Sequence, residues 1–150
     1  MIIRRPSTVF ILGDNSILVS LNASWCSIRL MGARALAKCL GDNNKLLKLD
    51  LSNNSFMNDT VEQLTESLTR NMILQELNLA SNEFFCRYDT RIKGDPSILL
   101  IGKDASIYRM FVAAATNQAL KIFRVETQSS LHHIRSYQFR SEKIISIHVV

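Results

Sequence analysis

One pattern occurs twice in this chain at a spacing of 28 residues. Leu46, Leu49, Leu51, Asn54 and Phe56 read L-x-x-L-x-L-x-x-N-x-F, and Leu74, Leu77, Leu79, Asn82 and Phe84 repeat it. A further step back gives Leu18, Leu21, Ala23, Cys26 and Ile28, with cysteine in the asparagine place. A fixed period of this length marks a solenoid, whose units stack because none can bury its apolar edge alone. Such surfaces bind other molecules and seldom catalyse.

Each unit has a physical content. Leu49 and Leu51 alternate with Lys48 and Asp50, which is the period of a strand. Asn54 follows at a turn, where its amide can satisfy backbone groups that the bend would otherwise bury unpaired. Val61, Leu64 and Leu68 then share one helix face, with Asp59 placed to cap its start. The preceding unit repeats this with Leu36 and Leu40, and Gly32 is expected in the tight turn before its helix. A Leu-Gly-Asp-Asn-x-x-Leu phrase closes one coil and opens the next at Leu12 to Leu18, and again at Leu40 to Leu46. The pattern predicts parallel strands near Lys48 to Ser52 and Glu76 to Ala80. Helices are predicted near Gly32 to Leu40 and Asp59 to Thr69.

A long period with a full helix resembles the ribonuclease-inhibitor type of leucine-rich repeat, found also in NOD-like receptors, the GTPase activator of Ran and tropomodulin-like proteins. Cysteine alternating with asparagine at the turn, as Cys26 does with Asn54 and Asn82, is similar to that subfamily. The resemblance covers Leu12 to Phe84 and implies an α/β solenoid with a curved parallel sheet inside and helices outside. It also implies recognition of a protein partner on the concave face.

After Phe84 the register is delayed by 18 residues. Leu120, Phe123, Val125 and Gln128 then take the Leu, Leu, Leu and Asn places, while Met110, Ala114 and Asn117 match Leu36, Leu40 and Asn43. A helix is predicted from Ala105 to Thr116, where Ala113 to Ala115 favour it. A last strand is expected from Ile144 to Val149 at a step of 24 residues, after a helix near Leu131 to Arg140. The organisation is therefore three clear repeats plus one or two degenerate C-terminal ones. Residues 1–84 hold the repeats, entered mid-unit, 85–104 an insertion or irregular segment, and 105–150 the degenerate, basic part.

Composition narrows the function classes. Hydrophobic residues make up 47% of 150, enough for a core. No run of about 18 apolar residues exists to span a bilayer. Arg4 and Arg5 precede an apolar run of only five residues, Thr8 to Leu12, shorter than the roughly 7–15 of a secretory h-region. Cys26, Cys39 and Cys86 are odd in number and form no C-x-x-C pair, so no disulfide framework or zinc cluster is signalled. A reducing, cytoplasmic setting is expected, in which the sequons at Asn22, Asn53 and Asn58 are repeat-loop residues.

The net charge of +5 lies entirely after Phe84. Its basic residues are dispersed among Asp89, Asp95 and Glu142 and carry no RNA-binding aromatic motif, so a solvated surface is favoured over nucleic acid or an anionic surface. Catalytic constellations are poor. His132 and His133 are adjacent and diverge on any regular element. Gly102-Lys103-Asp104 lacks the remainder of a phosphate loop. No enzyme, metal, cofactor or small-molecule substrate is expected.

Residues between the strand leucines point away from the core and form columns across repeats. The central column is Asn22, Asp50, Asn78, Arg124 and His148; the flanking columns are Ser20, Lys48, Glu76, Ile122 and Ser24, Ser52, Ala80, Glu126. This polar, mixed-charge face suits a protein. Trp25, at its edge, reads first as a plug packed on the turn around Asn53, and otherwise as a partner anchor. The expected partner-binding residues are Trp25, Asn22, Lys48, Asp50, Glu76, Asn78 and Arg124, in a scaffold or adaptor. The alternative is a regulator of a small GTPase or of the actin cytoskeleton.

Overall fold

Apolar–polar alternation in each repeat is realised as a strand with one face on the core. The computed structural model describes residues 17–86, 105–129 and 144–149. Along them run β1 (Ser20–Asn22), α1 (Leu30–Asp42), β2 (Lys48–Asp50), a 3-10 turn (Asn58–Thr60), α2 (Val61–Arg70) and β3 (Glu76–Cys86). They are followed by α3 (Ala105–Thr116), β4 (Ile122–Ser129) and β5 (Ile144–Val149). The strands form one sheet in sequential order β1-β2-β3-β4-β5, parallel at every pairing. Parallel neighbours require crossovers. Here α1, α2 and α3 lie in the first three and pack in turn on one another, which places them on one side of the sheet. Among the described residues, no helix is long and apolar enough to cross a membrane.

The register of the sheet is the repeat itself. Leu21 pairs with Leu49, Leu49 with Leu77, and Leu77 with Phe123. All four are buried beneath the helices, against Leu36 and Leu40 of α1, Leu64 and Leu68 of α2, and Met110 and Ala114 of α3. Phe56 and Phe84, the last motif residues, are fully buried as well. The expected bounds of α3 are those observed.

Several local expectations need correction. Gly32 lies inside α1 rather than before it. A Cβ there would stand 3.1 Å from Ile28 Cγ2, so glycine lets the first helical turn sit close to the chain leading into it. Asp59 does not cap α2. It is exposed within the 3-10 turn, and neither that turn nor α2 has a side-chain cap. Thr60 instead donates both its N–H (2.9 Å) and its Oγ1 hydroxyl (2.7 Å) to the Met57 carbonyl. Gln128 does not open a turn but pairs with Phe85 inside β4. β5 occupies the expected span, yet Arg124 pairs with Ser146 and Glu126 with His148. His148 therefore leaves Arg124's row. The slip of two residues is the smallest that leaves the strand alternation unchanged. The helix expected near Leu131 to Arg140 lies outside the described residues.

Asparagine amides tie the coils together at two bends. After the strand, Asn54 Nδ2 donates to the carbonyls of Ala23, Leu51 and Ser52 at 2.9, 3.0 and 3.1 Å. Its Oδ1 accepts from the N–H groups of Cys26 (3.2 Å) and Ile28 (2.9 Å). One coil later Asn82, which falls within the span of β3, donates to Leu51, Leu79 and Ala80 and accepts from Phe56. After the helix, Asn71 donates to the carbonyls of Leu40 (2.7 Å) and Asn43 (3.0 Å) and accepts from the N–H groups of Ile73 and Leu74. Asn117 makes the same contacts with Leu68 and Asn71, both at 2.6 Å. The delayed fourth coil thus joins the same ladder.

These contacts give two measurable stabilities. Leu49→Ala and Leu77→Ala should each lose on the order of 2–5 kcal/mol, as large-to-small changes in a packed core do. Asn54→Ala should lose about 1–3 kcal/mol by stranding buried backbone groups. Urea midpoints compare the variants, and an unchanged midpoint for Asn54→Ala would refute the ladder's energetic role.

Candidate protein-binding surface

The sheet face turned away from the helices carries the remaining side chains in rows. Asn22, Asp50, Asn78 and Arg124 stand in register across four strands, and beside them Ser20, Lys48, Glu76 and Ile122 do the same. Lys48 Nζ reaches Glu76 Oε1 at 2.7 Å with the lysine side chain 56% exposed. A pair so open to water contributes roughly 0.2–1 kcal/mol, and salt weakens it. Asn78 Nδ2 donates to Asp50 Oδ2 at 3.2 Å, which links the central row. Arg124 is exposed next to Asn78 and has no ion pair among the described residues.

The central row also has a structural duty that spacing alone did not reveal. Asn22 Oδ1 accepts from Ser24 N–H at 2.9 Å and from its hydroxyl at 2.6 Å. Asp50 Oδ1 does the same with Ser52, at the same two distances. These side-chain turns compete with the ladder and end β1 and β2 after three residues each, so β2 stops at Asp50 rather than Ser52. At Asn78 the partner is Ala80, which has no hydroxyl, and only the N–H bond of 3.1 Å remains. β3 continues to Cys86, with an irregularity between Leu79 and Phe84.

Trp25 stands apart from these rows, on the turn that follows β1. Its N–H donates to the Ser52 carbonyl at 3.2 Å, as Asn53 N–H does to Ala80 one coil later. Its φ is 57°, and Asn53 (54°) and Ser81 (53°) adopt the same left-handed conformation. The turn therefore demands positive φ in each of three coils. Asparagine tolerates that region several-fold better than most residues, whereas a bulky side chain there is a genuine outlier. Trp25 is also 78% exposed. The expectation that it plugs the turn around Asn53 is overturned, because a plug is buried. The strain of this position was not visible in the sequence, although the Asn53-Asn54 pair signalled the turn.

All seven expected binding residues thus lie outside the core. Asn22, Asp50, Asn78 and Arg124 come together in one row, Lys48 and Glu76 pair in the next, and Trp25 flanks them on the exit turn. An open sheet face of this composition offers hydrogen-bond donors and acceptors of both charges, flanked by one aromatic. It has the chemistry of a macromolecular contact.

No protein-family model matches the sequence, and no curated protein matches it. The structure is similar to that of leiomodin-1 actin-binding site 2, with a TM-score of 0.59 at 15% identity over 85% of this chain and 62% of that one. This chain therefore spans less than two thirds of that protein's length. It is also similar to the C-terminal domain of tropomodulin from Caenorhabditis elegans, with a TM-score of 0.50 at 17% identity over 79% of each chain. At such identities the likeness is one of fold. The chain has the leucine-rich repeat type of fold that its period implies, and neither comparison shows the ribonuclease-inhibitor subfamily.

Proposed function

We propose that this chain is a non-catalytic protein-interaction module that engages its partner with the open strand face and the adjoining Trp25. The observation that carries the reading is Trp25 itself. A left-handed backbone at a bulky residue costs roughly 1–2 kcal/mol, and an indole left in water recovers none of it by burial. Asn53 and Ser81 serve the equivalent turns, so the fold does not require tryptophan there. Large aromatics with an N–H donor are the residues most enriched at the centres of protein interfaces. Lys48, Glu76 and Arg124 would supply the polar rim, with Asn22, Asp50 and Asn78 contributing whatever their turns leave free.

A second reading follows from the fold comparison. Both similar structures come from proteins of the leiomodin and tropomodulin kind, one of them an actin-binding site. Regulation of the actin cytoskeleton is accordingly the first specific activity to test. Cys26 and Cys39 form no disulfide among the described residues, which suits a cytoplasmic setting.

Stability and binding should move in opposite directions at Trp25. Trp25→Asn should raise the urea midpoint, corresponding to about 0.5–1 kcal/mol, by placing a tolerant residue at positive φ. The same variant should bind at least about tenfold more weakly, a loss of about 1.4 kcal/mol. Cosedimentation with filamentous actin, titration against monomeric actin and affinity capture with mass spectrometry supply the partner. Titrations of that partner with Trp25→Asn, Lys48→Ala and Arg124→Ala then measure the surface. Wild-type affinity in all three variants would place the partner elsewhere.

A further inference from the structure

The outward stripes of α1 and α2 carry opposite charges at equivalent places in the repeat. Arg34, Lys38 and Asp42 lie at four-residue spacing on the exposed side of α1. Glu62, Glu66 and Arg70, each 28 residues later, are exposed on α2. At every rung the sign reverses from one helix to the next. The last rung closes within the chain, where Arg70 Nη2 reaches Asp42 Oδ1 at 3.5 Å over Gly41, whose lack of a Cβ makes room for the guanidinium. The first two rungs stay open. Among the described residues Arg34, Lys38 and Glu62 form no ion pair, and Glu66 meets only Arg70, at 3.9 Å.

A positive ridge beside a negative one is a poor match for nucleic acid or an anionic membrane, because Glu62 and Glu66 would face phosphate. It is a good match for itself. The two helices run in the same direction and in step, since Asn71 at the end of α2 bonds the carbonyls of Leu40 and Asn43 at the end of α1.

We propose that this helix face docks on a second copy of the chain, about a two-fold axis parallel to α1 and α2 and running between them. That axis lays α1 of each copy over α2 of the other at the same height. The Arg34–Lys38 ridge then meets the Glu62–Glu66 ridge twice, in a closed isologous contact. The perpendicular axis would set like charges face to face. Met31, one turn before Arg34 and 75% exposed, adds apolar surface to the same ridge. The contact lies on the helix side and leaves the strand face and its partner undisturbed.

Sedimentation velocity of the full chain at about 20 mM and about 500 mM salt tests this, because such exposed pairs are screened at the higher value. A dimer is expected at low salt and a monomer at high salt. Arg34→Glu with Lys38→Glu makes both ridges negative, and Glu62→Lys with Glu66→Lys makes both positive. Each double variant should be monomeric with an unchanged circular dichroism spectrum, and an equimolar mixture should recover a dimer at least tenfold tighter than either alone. A wild-type chain that is monomeric at low salt, a dimer that survives both double variants, or a mixture that does not associate overturns the proposal.

Discussion

Asparagine amides at the bends between strand and helix are what the structure rests on. Each coil reverses direction after its strand and again after its helix, and both bends turn backbone N–H and C=O groups inward. A group of this kind left unpaired in the interior costs about 1–3 kcal/mol. Asn54 and Asn82 resolve the first bend, and Asn43, Asn71 and Asn117 the second. Only an amide offers two donors and an acceptor on so short a stem. Because Asn54, Asn82, Asn71 and Asn117 each bond to their own coil and to the one before, the ladder sets the step from coil to coil. Strand register and the stacking of Leu21, Leu49, Leu77 and Phe123 follow from that step.

Two coils lack the asparagine after the strand. Cys26 holds the place in the first coil, and its thiol reaches only the Ser24 carbonyl, at 3.4 Å. The N–H groups of Cys26 and Ile28 are bonded by Asn54 of the next coil, as the N–H of Phe56 is by Asn82. At the fourth coil Gln128 stands in the motif place, and the chain runs straight on as β4 to Ser129.

The two faces of the solenoid differ in how much freedom the fold leaves them. On the strand face, Asn22 and Asp50 are committed to the turns that end their strands. Trp25 and Arg124 are not committed in that way, and Trp25 holds a strained backbone without burial. On the helix face Arg70 pairs with Asp42 and meets Glu66, whereas Arg34, Lys38 and Glu62 form no ion pair among the described residues. A repeat fold of this kind carries unrelated activities in different proteins, so function resides in particular side chains and not in the architecture.

The repeat pattern determined the places of the strands, their parallel order, the buried leucines, the role of Asn54 and Asn82 and, once its register was reset after Phe84, the bounds of α3. These properties are local or strictly periodic, and the hydrophobic pattern carries both kinds of information. The positions of Gly32, Asp59 and Gln128 were misjudged because a turn's edge depends on the backbone around it, which composition does not encode. The slip of β5 was hidden for a related reason, since a two-residue shift leaves the alternation of the strand intact. Columns on the strand face were legible in advance, as register fixes them once the strands are known. The left-handed turn at Trp25 and its exposure were decided by the tertiary structure alone. Whether an aromatic residue is buried depends on which neighbouring coil reaches over it, and that is a property of the stack and not of the repeat.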